Sequence, residues 1–321
     1  MSQVGVYHGE ELARYGFGDD HPFSNKRQDY FWDEAQRLTL SLFVSHLDPV
    51  MASEAQLNAF HSPDYVRKVR DLSVSGEGFL DRGDTPAYAG VYEAAAHVCG
   101  SAIEAADRIM KAELRRIFIP IAGLHHAHPH TASGFCVFND AGVVIEHLRA
   151  AHGVTRVAYV DIDAHHGDGV FYAYESDPEV IFADLHEDGR FIFPGTGHAD
   201  ETGKGEAEGR KLNIPLPPHA DDNAFFEAWP QVEAMLREYK PEFILFQTGA
   251  DCIADDPITR LNFSVSPHAY SARRICEIAE ELGHGRVLGL GGGGYNPRNI
   301  AQGWCAVLRA FIETPMTALG E

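Results

Sequence analysis

The chain has 321 residues, 45% of them hydrophobic, enough to bury a large core. Its 47 acidic against 26 basic residues, a formal net charge of −21, argue against a nucleic-acid-binding surface, which needs clustered Lys and Arg. No leader-like N-terminus, membrane-length apolar run, linker or repeat is seen, and the five cysteines form no CxxC pair. These features predict a single cytoplasmic domain with reduced thiols.

Val4 to Tyr7 reads as a short strand, and a helical pattern then runs through Phe31, Ala35, Leu38 and Phe43 with Arg27 near its start. Phe60 to Leu72 is an aromatic-rich unit in which Pro63 suits a helix start. Asp84 and Thr85 precede Pro86, good capping chemistry for a helix that reaches about Met110. Arg116 to Ile121 is a strand, and just beyond it come His125, His126 and the small-residue run TASGF. A lone histidine is usually a packed or surface residue, but an adjacent pair at a strand end looks like an active-site loop. Asn139 can cap the next helix, which ends near His152.

The stretch RVAYVDIDAHHGDGV, residues 156–170, is the densest in chemistry. An apolar strand, Val157 to Val160, runs into Asp161, Asp163, His165, His166 and Asp168, and Gly167 and Gly169 let a helix begin. On extended backbone Asp163 and His165 project to the same side, which supplies half of a zinc-type ligand set. Glu179 to His186 is a further strand, followed by a Gly/Pro-rich loop with Phe191 and Phe193. Lys211 to Leu216 is a short strand and Asp222 to Tyr239 a helix. Glu242 to Thr248 is a buried strand that leads to Asp251; a helix from Ser266 or Pro267 ends near Leu282. Arg286 to Leu290 is the last strand, before four glycines, Tyr295 and a helix from Pro297. This alternation predicts an α/β fold with a mainly parallel sheet and helices on both faces.

Asp163, His165 and Asp251 supply three N/O ligands with a position left for water and substrate, the pattern of a catalytic zinc; Fe(II), Mn(II) or Co(II) would also fit. A nearby histidine can move the proton of a metal-activated water, carboxylates such as Asp161 and Asp168 can orient the imidazoles, and Tyr295 can donate to an oxyanion. Together these groups specify metal-assisted amide hydrolysis.

The segments HHAHPHTASGFCVFND, YVDIDAHHGDGV, FPGTG, GADCIADDP and LGGGGYNP resemble the histone deacetylase family of zinc-dependent amidohydrolases, from about Tyr7 to Trp304. HPFSNKR, FHSPDYV and GDTPAYAGVYEAA look closest to its class I-like bacterial acetoin-utilisation branch. The resemblance implies an arginase-like, eight-stranded parallel sheet. It implies zinc on Asp163, His165 and Asp251, tandem histidines His125 and His126 with His126 as general base, and Asp161 and Asp168 as their partners. Tyr295 would be the transition-state tyrosine, and Gly134, Phe135, Phe193 and Ile258 would line an acyl-lysine tunnel. Asp84 matches a rim aspartate that holds substrate backbone, and Arg27 a basic residue near an internal acetate channel. A structural potassium ion would use Asp161, Asp163, His165 and Leu185, with Asp184 where class I members often have serine. The implied partner is an acyl-lysine protein or peptide; acetylated polyamines are the alternative, and a silent acyl-lysine binder is the alternative of another class. A binuclear arginase-type site is disfavoured because Gly167 stands where a bridging aspartate is needed. His128 and His130 read as solvent-facing turn residues, and His186 and His198 find no role.

Overall fold

Short runs rich in Val, Ile, Leu and Phe form the strands of one eight-stranded sheet, β1 Val4–Tyr7, β2 Ser45–Leu47, β3 Arg116–Ile119, β4 Val157–Asp161, β5 Val180–Glu187, β6 Lys211–Leu216, β7 Phe243–Gln247 and β8 Val287–Leu290. The structure, a computed structural model, describes residues 3–18 and 21–317. Neighbouring strands are all parallel, in the order β2-β1-β3-β8-β7-β4-β5-β6. Parallel pairing needs crossover connections, and helices provide all but the one from β5 to β6, a loop with a single 3₁₀ turn at Gly205–Ala207. Every residue of β4, β5, β7 and β8 is buried, so both faces of the sheet's centre are covered, as their mainly apolar runs require. The α/β, arginase/deacetylase-like fold expected from the strand–helix alternation is the one observed.

Two local expectations are corrected. The helix that begins at Arg27 does not run on through Phe43: it spans Arg27–Arg37, a 3₁₀ turn follows at Leu40–Phe43, and Ser45–Leu47 forms an unexpected edge strand. The helix expected from Pro86 begins later, at Val91, with Gly90 at its cap position. Asp84 therefore caps nothing, and its N–H instead donates to Asp81 Oδ1 at 3.0 Å in a tight turn.

The helix Val91–Met110 buries an alanine-rich face that lets other chain segments approach its backbone. Ala52 N–H donates to the Ala96 carbonyl at 2.9 Å, in a segment that crosses at Gly100. A Cβ on Gly100 would lie 2.2 Å from the Val50 carbonyl oxygen and 2.3 Å from Ala52 N, both backbone atoms that cannot swing aside. Gly100→Ala should therefore destabilise the fold by about 1–3 kcal/mol through overpacking, which outweighs an alanine helix-propensity gain of about 1 kcal/mol. Urea unfolding checks this, and an unchanged or raised midpoint would contradict the close approach.

Candidate active site

Because all eight strands are parallel, their carboxyl ends share one edge, where open α/β sheets bind ligands. The four central strands deliver the chemistry there: β3 leads to His125 and His126, β4 to Asp161–His165, β7 to Asp251, and β8 to the glycines before Tyr295. Asp163 and His165 come together differently from the expectation of strand alternation. The strand ends at Asp161, and the turn beyond it is wound back by its own carboxylates. Asp161 Oδ1 accepts from Asp163 N (2.9 Å), and Asp163 Oδ1 from His165 N (3.0 Å).

His165 Nδ1 then stands 3.0 Å from Asp163 Oδ1 and 3.1 Å from Asp251 Oδ2, all three residues buried. One donor atom from each lies within 4.8 Å of the others. Burial, then the Asp163 charge, pushes the Asp251 carboxyl up to about 7. Two carboxylates forced together out of water are costly unless a positive centre lies between them. The set of two oxygens and one imidazole nitrogen fits a divalent metal ion of the zinc type. Glycines make the room: a Cβ on Gly249 would lie 2.2 Å from Asp163 Oδ2, and one on Gly293 2.2 Å from Asp251 Oδ2.

Beside this cluster stand two carboxylate–imidazole dyads. His125 Nδ1 is 2.8 Å from Asp161 Oδ2, His126 Nδ1 is 2.6 Å from Asp168 Oδ1, and the two Nε2 atoms are 3.1 Å apart. The dyads are electrostatically unequal. Burial opposes charge on His125, but the Asp161 and Asp163 carboxylates outweigh it and raise its pKa to about 10. Burial, then the neighbouring His125 charge, lowers His126 to about 4, so His126 keeps a basic lone pair at neutral pH. His128 is not the solvent-facing turn residue expected: its Nε2 lies 3.2 Å from Asp168 Oδ2.

A cleft of about 390 Å³ opens onto these groups. Gly134, Phe135, Phe193, Ile258, Tyr295 and exposed Asp84 line it with His126 and His165, so the expected tunnel and rim residues meet in one place. The Phe193 ring packs edge-on to His126 at 5.0 Å between centroids. Arg27 lies behind this wall, buried, with Nε 2.9 Å from the Gly294 carbonyl and its guanidinium 3.9 Å from the Phe23 ring centroid. Asp184 is buried in register with Asp161; it accepts from Gly167 N at 2.8 Å and pairs with His186 Nδ1 at 2.7 Å, which gives His186 a partner. Leu185, beside it in the strand, is buried too, while His198 is exposed.

Several positioning residues escaped the sequence reading. Gln247 Nε2 donates to Asp163 Oδ2 at 2.8 Å, and its only sequence signal is a polar residue ending the apolar strand FILFQ. Asp256 accepts from the backbone of both Tyr295 (2.9 Å) and Ile258 (3.0 Å), so one carboxylate holds two sides of the cleft. Tyr15 donates to the Phe135 carbonyl at 2.8 Å and accepts from Val137 N at 3.0 Å; no local pattern announces it.

An all-parallel eight-stranded sheet with an acid–histidine cluster at its carboxyl edge places the chain in the arginase/deacetylase-like class. The histone deacetylase domain model matches residues 21–311, and the chain belongs to that family of deacetylase hydrolases. It resembles the acetoin utilization protein AcuC of Bacillus subtilis (strain 168), with 33% identity over 91% of this chain and 78% of that protein. AcuC of Staphylococcus aureus (strain MRSA252) is 30% identical over 98% of this chain and 83% of that protein. The crystal structure of the HDA15 HD domain superposes with a TM-score of 0.89 at 23% identity, covering 99% of this chain and 92% of that one.

His61 braces the loop that carries the tandem histidines. Its Nε2 accepts from Asn139 N at 2.9 Å, so its Nδ1–H faces the His128 carbonyl at 3.1 Å. Burial, opposed by the His128 and Pro129 backbone, lowers its pKa from 6.5 to about 3. A depressed histidine stabilises the fold fully above pH 6.5, and that stability is lost as pH falls towards 3, because the unfolded chain binds the proton first. Between pH 7 and 5 the loss from His61 is about 2 kcal/mol. His61→Gln should lose that much less stability than the wild type over this interval, measured by urea unfolding at both pH values. Equal losses would show that His61 does not carry the proton linkage.

Proposed function

We propose that this chain is a zinc-dependent amidohydrolase that removes acetyl groups, and longer acyl groups where the cleft admits them, from lysine ε-amines in proteins or peptides. The observation that carries the reading is the meeting of three metal-competent donors, two His–Asp dyads and a tyrosine at the base of one narrow cleft. Asp163, His165 and Asp251 would hold the metal, zinc or alternatively Fe(II) or Co(II). When bound, such an ion lowers the pKa of a water and polarises the amide carbonyl.

The chain's own groups do the rest. His126, uncharged at neutral pH and fixed through Nδ1 by Asp168, takes a proton at Nε2 and returns it to the leaving amine. His125, held cationic by Asp161, presents a positive charge beside the reacting carbon. Tyr295 stays protonated because burial, then the Asp251 and Asp163 charges, raise its pKa well above the usual value, and a protonated phenol can donate to a developing oxyanion. Phe193 and Phe135 would flank the aliphatic lysine stem, and Asp84 at the rim would accept from substrate backbone N–H groups. Arg27, behind the glycine loop, would face the released acetate. Asp161, Asp184 and Leu185, with Asp163 and His165, would form the potassium site. The acidic chain would also steer a basic peptide.

Tyr295→Phe should retain metal while turnover falls roughly 10²-fold or more, the cost typical of losing an oxyanion donor. Metal content and turnover of an acetyl-lysine peptide check this together, and full turnover would remove the tyrosine from the chemistry. Hydrolysis of acetyl-lysine peptides, longer acyl-lysine peptides and acetylated putrescine or spermidine, with metal stripped and zinc restored, tests the substrate. Metal-dependent cleavage that favours the peptides is expected. Cleavage confined to the polyamines would replace the substrate class, and no turnover on any would leave a silent binder.

A further inference from the structure

Away from the cleft, the helices Val91–Met110 and Asp140–His152 pack side by side, and their C-terminal halves bring together Asp107, His147 and His152. His147 Nε2 is 2.7 Å and His152 Nε2 2.6 Å from the same oxygen, Asp107 Oδ1, and the imidazole centroids are 5.7 Å apart. The side chains are 17–29% exposed, open enough for water to complete a coordination shell. Three features favour a cation. The donors are two imidazole nitrogens and a carboxylate oxygen, within 4.8 Å of one another. Asp107 and His152 both sit in the last turn of their helices, where the macrodipole is negative. The donors also stand on helix backbone rather than on loops. The competing cation is Lys111, whose Nζ lies 3.9 Å from Asp107 Oδ2 on a side chain exposed enough to turn away.

We infer that Asp107, His147 and His152 form a second metal site, separate from the cleft, for a divalent transition ion of the zinc class with water in its remaining positions. Such an ion ties the ends of two helices. Asp140, at the opposite end of the second helix, accepts from Gly123 N at 2.9 Å and Leu124 N at 2.7 Å, contacts in which none of the three donors takes part.

The test compares zinc bound per chain in the full-length protein and in the His147→Gln/His152→Gln variant. Both are dialysed to equilibrium against micromolar free zinc and measured by atomic emission. Glutamine can still donate to Asp107, so helix packing is preserved while imidazole ligation is lost. The variant should hold one equivalent less than the wild type, with the hydrolytic rate unchanged. Asp107→Asn, which keeps size and hydrogen bonding, should lose the same equivalent and covers the case in which the double variant fails to fold. Equal zinc content in wild type and a folded variant would overturn the site and leave a His–Asp–His hydrogen-bonded clamp.

Discussion

Everything at the carboxyl edge of the sheet depends on how five buried carboxylates are neutralised. Asp161, Asp163, Asp168, Asp184 and Asp251 are all withdrawn from water. An unpaired buried charge is prohibitive in a low-dielectric interior, so each needs a counter-charge or several N–H donors. Each has an imidazole: His125 for Asp161, His126 for Asp168, His186 for Asp184, and His165 between Asp163 and Asp251. Asp168 meets His128 as well, whereas Asp163 and Asp251 share His165, which sits where the candidate metal donors converge. Two buried carboxylates on one imidazole leave room there for the positive charge of a divalent cation.

The same bookkeeping separates the tandem histidines. Two adjacent imidazoles with Nε2 atoms 3.1 Å apart cannot both be charged in a buried site. Asp161 and Asp163 both act on His125, whereas His126 has Asp168 alone and feels the His125 charge. His128 also lies against that Asp168 carboxylate, 3.2 Å away. The division of labour between a cationic and a neutral histidine is therefore set by carboxylate placement rather than by the histidines.

Seven of the eight strands were legible, most of them as apolar runs, because parallel strands buried on both faces are largely apolar away from their site-bearing carboxyl ends. The eighth, Ser45–Leu47, was not, because it is a three-residue edge strand with a polar start and an exposed histidine. The candidate metal donors, the dyads and the cleft residues were legible because they cluster just past strand ends or match family motifs. Gln247, Asp256, Tyr15 and His61 were not, because each acts through a hydrogen bond to a segment distant in sequence. Asp84 misled for a related reason: a cap-like Asp-Thr-Pro sequence satisfies its backbone in a local turn on Asp81 instead of opening a helix.

Topology explains why so few strands suffice. The order β3-β8-β7-β4 makes neighbours of strands far apart in sequence, so residues near 125, 163, 251 and 293 emerge side by side. The loops they enter are then fixed by one another rather than by their own strands. Gly293 N donates to Asp163 Oδ2 at 2.7 Å, Gln247 binds the same oxygen, Ala164 N donates to Asp251 Oδ1 at 2.9 Å, and Thr259 Oγ1 donates to the Asp251 carbonyl. Asp163 is thus held from the end of β7 and the loop after β8, and Asp251 from the turn after β4 and by Thr259, before any ligand binds. A donor set fixed in this way pays little reorganisation cost on taking up a metal or on reaching a transition state, which is the physical meaning of preorganisation at this site.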